Sequence, residues 1–332
     1  VIGTGFVGQI HIETLRRLGC CDVVAITDSF NAAEVASKLN IPNAFADYRT
    51  MIDTMNLDIV HICTPNNTHF EIAMYALTHG VHVLCEKPLA TSVSDARLLR
   101  DTAKKSGLIA AVNFHNRFYP MCNHLMNIIK DGALGQIFSI SGSYMQDWLL
   151  FDTDYSWRLN STESGATRVI ADIGSHWMDL AEFVTGHKII EVFADFQIIH
   201  PYRKKPAGNT LAYSKKETNI QYEQFPVHTE DNASVMFRFD NGAKGSAFFS
   251  QVIAGKSVAI TLTVGGSQKS AEWNSERCNA LVIGNRDSYN EYIEKGINTV
   301  HPNTLPLIAY PFGHLEGFPD AFKQCFHEVY QS

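Results

Sequence analysis

Cationic residues are in deficit in this 332-residue chain: 27 Lys and Arg stand against 34 Asp and Glu, a formal net charge of −7. A nucleic-acid surface needs clustered Lys and Arg to neutralise phosphates, and no cationic run is longer than Arg203-Lys204-Lys205. Nucleic acid is therefore not an expected partner. Long hydrophobic runs are also missing. No window approaches the ~18 apolar residues of a membrane span, and the opening residues lack the pattern of a signal peptide. The seven cysteines include no Cys-x-x-Cys pair and no zinc-type spacing. Cys63 and Cys85 lie in apolar runs, where a thiol acts as a small hydrophobe. We expect no metal site and a reduced, cytoplasmic setting.

What is present is a globular composition: 45% hydrophobic residues exclude wholesale disorder, and the length suits two domains, each with its own core. Residues 1–118 alternate between two periodicities. Apolar, β-rich runs at 23–27, 59–64, 81–85 and 109–113 are separated by helical spacing at 10–18, 32–39, 70–78 and 96–105. Strands alternating with helices predict βαβ units around a doubly wound parallel sheet. Val1-Ile2 is too short for a first strand although the turn after it is complete, so we expect a few further residues, an initiator Met included, ahead of Val1.

Residues 119–332 read differently. A helix at 121–130 leads to a long alternating strand at 136–146, and further strands follow at 191–199, 233–239, 244–252, 258–264 and 280–283. Asn241-Gly242 predicts a hairpin with both central residues at φ > 0. Residues 200–229 read as a long loop, and 319–330 as a helix. This is an α+β domain with a large, mostly antiparallel open sheet.

Four motifs carry chemistry. Gly3-Thr4-Gly5-Phe6-Val7-Gly8 matches G-x-G-x-x-G at the start of a helix, and Asp28 closes the second strand 20 positions later. Glycines let the backbone approach a pyrophosphate, the helix N-terminus offers N–H groups, and Asp28 would accept ribose hydroxyls. A carboxylate there repels a 2′-phosphate, and no Arg or Lys follows in Ser29-Phe30-Asn31, so NAD is favoured over NADP. Cys63-Thr64-Pro65-Asn66-Asn67-Thr68-His69 and Cys85-Glu86-Lys87-Pro88 end two other strands, at the edge where a doubly wound sheet binds its ligand. Asp172 and His176 are four apart, on one face of a helix. Imidazole accepts a hydroxyl proton near neutral pH, and a carboxylate orients it.

Together these residues resemble the glucose–fructose oxidoreductase / inositol dehydrogenase / MocA family, whose Rossmann domain carries Glu-Lys-Pro. Residues 112–118 are similar to its crossover into the second domain, and 171–179 to its Asp-x-Gly-x-His-x-x-Asp motif. Residues 313–322 look like the ending of some sugar-oxidising members, and the chain as a whole resembles the sugar- or anhydrosugar-oxidising kind. The resemblance implies Lys87, Asp172 and His176 as catalytic residues. It implies Gly3, Gly5, Phe6, Val7, Gly8, Asp28, Thr64, Pro65, Asn66, His69, Glu86 and Lys87 as the cofactor contacts. It adds Trp157 and Arg158, with Lys87, Asp172 and His176, as substrate contacts, and a homodimer or homotetramer.

The expected activity is NAD-dependent oxidation of a secondary hydroxyl on a cyclic polyol or sugar. A non-catalytic NAD-binding regulator and a reductase of an imine or unsaturated ring are the alternatives. One departure stands out: Gly165-Ala166-Thr167-Arg168-Val169-Ile170-Ala171 replaces the family's glycine-rich run, and Arg168 would bring charge and bulk near the nicotinamide end.

Overall fold

The computed structural model describes residues 1–206 and 221–332. The first domain runs α1 (Phe6–Leu18), β1 (Ala25–Thr27), α2 (Ala32–Leu39), β2 (Asn43–Phe45), α3 (Tyr48–Thr54), β3 (Ile59–Ile62), α4 (Asn66–Thr78), β4 (His82–Cys85), α5 (Val93–Ser106) and β5 (Ala110–Val112). Every strand pairing among these is parallel. β3 and β4 are buried along almost their whole length, which is why they read as unbroken apolar runs rather than as alternation. β2 and α3 were not anticipated: a three-residue strand and a two-turn helix are too short to establish a period.

Residues 1–3 fill the central strand position despite their shortness. Ile2 N–H donates to the His61 carbonyl at 2.8 Å, Cys63 N–H to Ile2 at 2.8 Å, and Gly3 N–H to Thr27 at 2.8 Å. The order is therefore β2–β1–residue 2–β3–β4–β5. Chain direction of winding reverses between Ile2 and β3, where a ligand crevice opens at the carboxyl ends of the strands.

The second domain runs α6 (Pro120–Lys130), β6 (Ile137–Met145), α7 (Ser161–Ser164), α8 (Ser175–Thr185), β7 (Ile189–Gln197), β8 (Tyr202–Pro206), β9 (Tyr222–Pro226), β10 (Asn232–Phe239), β11 (Lys244–Ser250), β12 (Ala259–Gly266), β13 (Ser270–Asn274), β14 (Ala280–Gly284), β15 (Glu291–Glu294) and α9 (Phe318–Gln331). Its eight-stranded sheet has the order β15–β14–β13–β12–β6–β11–β10–β7, antiparallel except for β6 with β11. Alternate residues of β10 are buried, so one sheet face packs and the other lies open. Trp177, Phe237, Phe249, Leu262 and Trp273 fill the packed face. Each fully buried Phe or Leu contributes about 1.5–3 kcal/mol.

Several expectations change. The 200–229 segment carries a small antiparallel pair, β8 with β9, while its residues 207–220 lie outside the described residues. The β10–β11 hairpin forms at Asn241-Gly242, but only Gly242 has a positive φ, +87°, so the turn is not the one expected. β13 and β15 join the sheet unannounced. Helix α9 returns across the molecule to pack on α1, and Arg17 Nη2 donates to Asp320 at 2.6 Å. No helix of the described residues is long and apolar enough to cross a membrane.

Candidate active site

The glycine-rich turn is shaped by close contacts. A Cβ on Gly3, whose φ is +87°, would lie 2.8 Å from the Cys63 carbonyl, and one on Gly8 would lie 2.0 Å from the Gly3 oxygen. A Cβ on Gly5 would meet nothing within 4 Å, so that face of the turn is open at the start of α1. Phe6 and Val7 begin the helix beside it. Asp28 Oδ2 accepts from Thr4 N–H at 3.0 Å and Thr4 Oγ1 at 2.7 Å, and Oδ1 accepts from Phe30 N–H at 3.0 Å. Burial pushes this carboxyl up, but the Thr4 and Phe30 donors outweigh it and hold the group below its ordinary value. Asp28 is thus an ionised carboxylate fixed against the turn, as a ribose acceptor must be.

Across the crevice, Thr64 Oγ1 accepts from Thr68 Oγ1 at 2.6 Å and Asn66 Nδ2 donates to the Ser164 carbonyl at 2.9 Å, bridging the domains beside Pro65. Two further residues of the expected cofactor set spend their side chains on internal contacts. His69 is buried, with Nε2 at 2.9 Å from the Thr64 carbonyl and Nδ1 at 2.7 Å from the Pro88 carbonyl. It clamps two strand-end loops together. Glu86 points into the domain interior, where Oε1 meets His11 Nε2 at 3.0 Å and Asn113 Nδ2 at 2.6 Å, and Oε2 takes the Lys87 N–H at 3.2 Å. Burial pushes the Glu86 carboxyl up; the hydrogen bond and charge of His11, with Lys87 and Asn113, bring it down to about 2.

Lys87 leaves the end of β4 in the opposite sense and reaches the second domain. Its Nζ donates to the Asp172 main-chain oxygen at 2.7 Å and to Asp172 Oδ1 at 2.9 Å. Asp172 lies on a π-helical turn, Ile170–Gly174, that runs directly into α8. Such widened turns recur at functional sites; periodicity does not reveal them. Asp172 Oδ1 also accepts from Arg158 Nε at 3.1 Å, and Oδ2 accepts from Gln251 Nε2 at 2.7 Å. Burial opposes ionisation of Asp172, but the charges of Lys87 and Arg158 hold its carboxyl far below the usual range. Arg158 lies over two aromatic rings: Cζ is 4.6 Å from the Trp157 centroid and 5.9 Å from that of Trp148.

His176 sits near the start of α8, buried, with Nδ1 lacking any hydrogen-bond partner among the described residues. Its ring meets Phe114 and His115 edge-on at 5.7 and 5.2 Å. Burial, then the Lys87 charge, pushes its pKa well below the ordinary histidine value. The imidazole is therefore neutral at physiological pH and free to accept a proton. The motif's second acid, Asp179, instead receives Arg117 Nε at 2.7 Å and ties the inter-domain turn to α8.

Arg168 corrects an expectation. It is 1% exposed, and its guanidinium binds Asp231, Thr229 Oγ1 at 3.2 Å and Gln251 Oε1 at 2.9 Å. Its charge is spent inside the second domain. Asp231 also takes Arg203 Nη2 at 2.7 Å. By accepting from Arg168 at Oε1, Gln251 must present its NH₂ to Asp172, so this amide is oriented without ambiguity. Gln251, Asp231 and Arg203 escaped sequence reading because their partners lie 28 to 83 positions away and no local pattern announces them.

A Rossmann domain with a carboxylate-fixed glycine turn, joined to a Lys–Asp–His cluster at the inter-domain crevice, defines an NAD-dependent oxidoreductase. The first 114 residues match the model for the oxidoreductase family with an NAD-binding Rossmann fold, and residues 123–272 match the GFO/IDH/MocA C-terminal domain. The chain belongs to the Gfo/Idh/MocA family of oxidoreductases. It is 30% identical to levoglucosan dehydrogenase of Pseudarthrobacter phenanthrenivorans over 324 residues, covering 94% of this chain and 81% of that one. It is 28% identical to myo-inositol 2-dehydrogenase of Thermotoga maritima, covering 93% and 90%. Among solved structures, levoglucosan dehydrogenase with NADH and levoglucosan superposes with a TM-score of 0.85 at 26% identity, covering 99% of this chain and 87% of that one.

Proposed function

We propose that the protein oxidises a secondary hydroxyl of a cyclic polyol, sugar or anhydrosugar, with Lys87, Asp172 and His176 as the reacting-centre residues. The observation that carries this is the Lys87–Asp172 ion pair at 2.9 Å, which joins a strand end of one domain to the helix turn of the other, close to a neutral His176. An ammonium has three N–H donors, and Asp172 takes two. The third remains for the substrate oxygen, whose negative charge it stabilises as hydride leaves. His176 takes the hydroxyl proton at a ring nitrogen. Asp172 holds Lys87 in place, while Gln251 and Arg158 hold Asp172. Bound NAD would supply the hydride acceptor, its pyrophosphate held at the open Gly3-Thr4-Gly5 turn. Trp157 and Arg158 flank the sugar, a ring face for its C–H surface and a guanidinium for its hydroxyls. The levoglucosan and myo-inositol dehydrogenase relatives support this substrate class. A panel of polyols, aldoses and anhydrosugars assayed for NAD reduction tests it; no turnover on any class would reject it.

Asp28→Ala bears on the cofactor. The substitution removes both the ribose acceptor and the repulsion of a 2′-phosphate, so NAD should bind ~5–150-fold more weakly, by about 1–3 kcal/mol, and the gap to NADP should narrow. Titration of both dinucleotides measures this. An unchanged ratio would remove Asp28 from cofactor choice.

The working form is proposed to be a homo-oligomer in the reducing cytoplasm, where seven unpaired thiols are stable. Edge strand β7 exposes Ile190, Val192 and Phe196 on one face and Phe193 on the other, where its partner Met236 on β10 is exposed too. An apolar edge of this kind needs a cover, and a second copy supplies the same surface in return. Light scattering should give a multiple of the 37.0 kDa chain mass, and Phe193→Glu should lower it. A monomer at assay concentration would contradict this assignment.

A further inference from the structure

A row of buried ionisable groups runs beneath Lys87, and the steps above use none of it. Glu86 Oε1 meets His11 Nε2 at 3.0 Å, His11 Nδ1 meets His61 Nδ1 at 2.9 Å, and His61 Nε2 meets the Tyr330 hydroxyl at 3.0 Å. His11 and His61 are 0% and 2% exposed. They occupy core positions of α1 and β3, where neighbouring positions are apolar. Placing polar rings there costs stability unless every nitrogen is bonded. The four groups meet that condition only as a set.

The surroundings set the charge at the two ends of the row. Glu86 is ionised and only accepts, so His11 carries a proton on Nε2. One proton lies between the facing Nδ1 atoms of His11 and His61, 2.9 Å apart. Burial, then the neighbouring His11, keeps His61 neutral, and its Nε2 pairs with the Tyr330 hydroxyl at 3.0 Å. Burial in turn pushes the Tyr330 hydroxyl up, which keeps it a donor. The row thus ends on the carboxylate that holds the Lys87 N–H.

Helix α9 backs the row. The Phe326 ring lies 4.8 Å from His11 and 4.9 Å from His61, while Phe322 lies 5.7 Å from His11 and 4.3 Å from His115. His115 in turn lies 5.2 Å from His176. One helix therefore stands behind the supports of both Lys87 and His176.

We propose that His11 is a positioning residue for Lys87: tied through His61 to Tyr330 of α9, it fixes Glu86 and hence the strand end from which the Lys87 ammonium reaches the substrate. This rests on the reading of Lys87 as the donor to the reacting oxygen. Without His11 the buried carboxylate loses a principal partner, and its hold on residue 87 slackens. A misplacement of about 1 Å at a reacting group can cost ~10²-fold in rate.

The test uses the full chain with NAD and the best sugar of the panel. His11→Leu should lower kcat by ~10–100-fold with KM and NAD affinity little changed. His11→Gln, which offers an N–H to Glu86 and a carbonyl to His61, should recover most of that loss. Tyr330→Phe deletes one hydroxyl from α9 and should lower kcat by ~2–10-fold. Wild-type kcat in His11→Leu, a Gln variant no better than Leu, or NAD affinity falling in step with kcat would each overturn the proposal. Should His11→Leu fail to fold, Tyr330→Phe decides alone, and an unchanged kcat there overturns it. Lys87→Met separates the two claims: if it is inactive while His11→Leu and Tyr330→Phe turn over normally, only the positioning role fails.

Discussion

His176→Ala is expected to lower kcat by ~10²–10⁴-fold, the usual contribution of a positioned general base, while NAD binding stays nearly intact. The ring is buried against Phe114 and His115, both aromatic, so its removal leaves a cavity but breaks no internal hydrogen bond of Nδ1. The pH profile carries a sharper signature. Only neutral imidazole accepts a proton, so kcat/KM of the wild type should fall as pH drops through the His176 pKa. Burial and the Lys87 charge lower that pKa, which places the acid limb well below the ordinary histidine value of 6.5. An unperturbed histidine, as sequence alone suggested, would put the limb higher. A kcat/KM profile whose acid limb is unchanged in His176→Ala would assign the limb to another group and leave His176 a packing residue.

Lys87→Met is expected to lower kcat by ~10²–10³-fold, the loss of about 2.7–4 kcal/mol for one donor to a developing oxyanion. Methionine keeps the stem, and Asp172 retains Arg158 Nε at 3.1 Å and Gln251 Nε2 at 2.7 Å, so its carboxylate is not left bare. Folding should survive. The bond to substrate strengthens as charge builds, so the loss should fall on kcat rather than on KM alone. Steady-state kinetics with NAD affinity measured in parallel checks it. Intact kcat with lost NAD binding would make Lys87 a cofactor clamp instead.

How far the sequence disclosed this site depended on how local each signal was. The glycine turn was legible as a local motif, and Asp28 and Lys87 as residues at or just past the ends of apolar strand runs. The Lys87–Asp172 pair spans 85 positions, so only the family resemblance brought those residues together. The direction of Glu86 was not legible, because a strand end alone does not say which of two consecutive charged side chains turns inward. A clue existed in His11 and His61: polar rings at the buried face of α1 and inside an apolar strand signal a hidden partner. The π turn under Asp172, and the Arg168–Gln251 support beneath it, belong to pairings that no window contains. Arg168 looked like an intrusion at the nicotinamide end and is instead part of what orients Asp172.

The most direct measurement follows the hydride itself. A sugar or polyol accepted in the panel is prepared with deuterium on its secondary carbinol carbon and incubated with purified protein and NAD, and the nicotinamide product is weighed by mass spectrometry. The account predicts one deuterium per NADH formed, with the rate lost in Lys87→Met and in His176→Ala. NADH without the label, or labelled NADH formed equally fast by both variants, would contradict it.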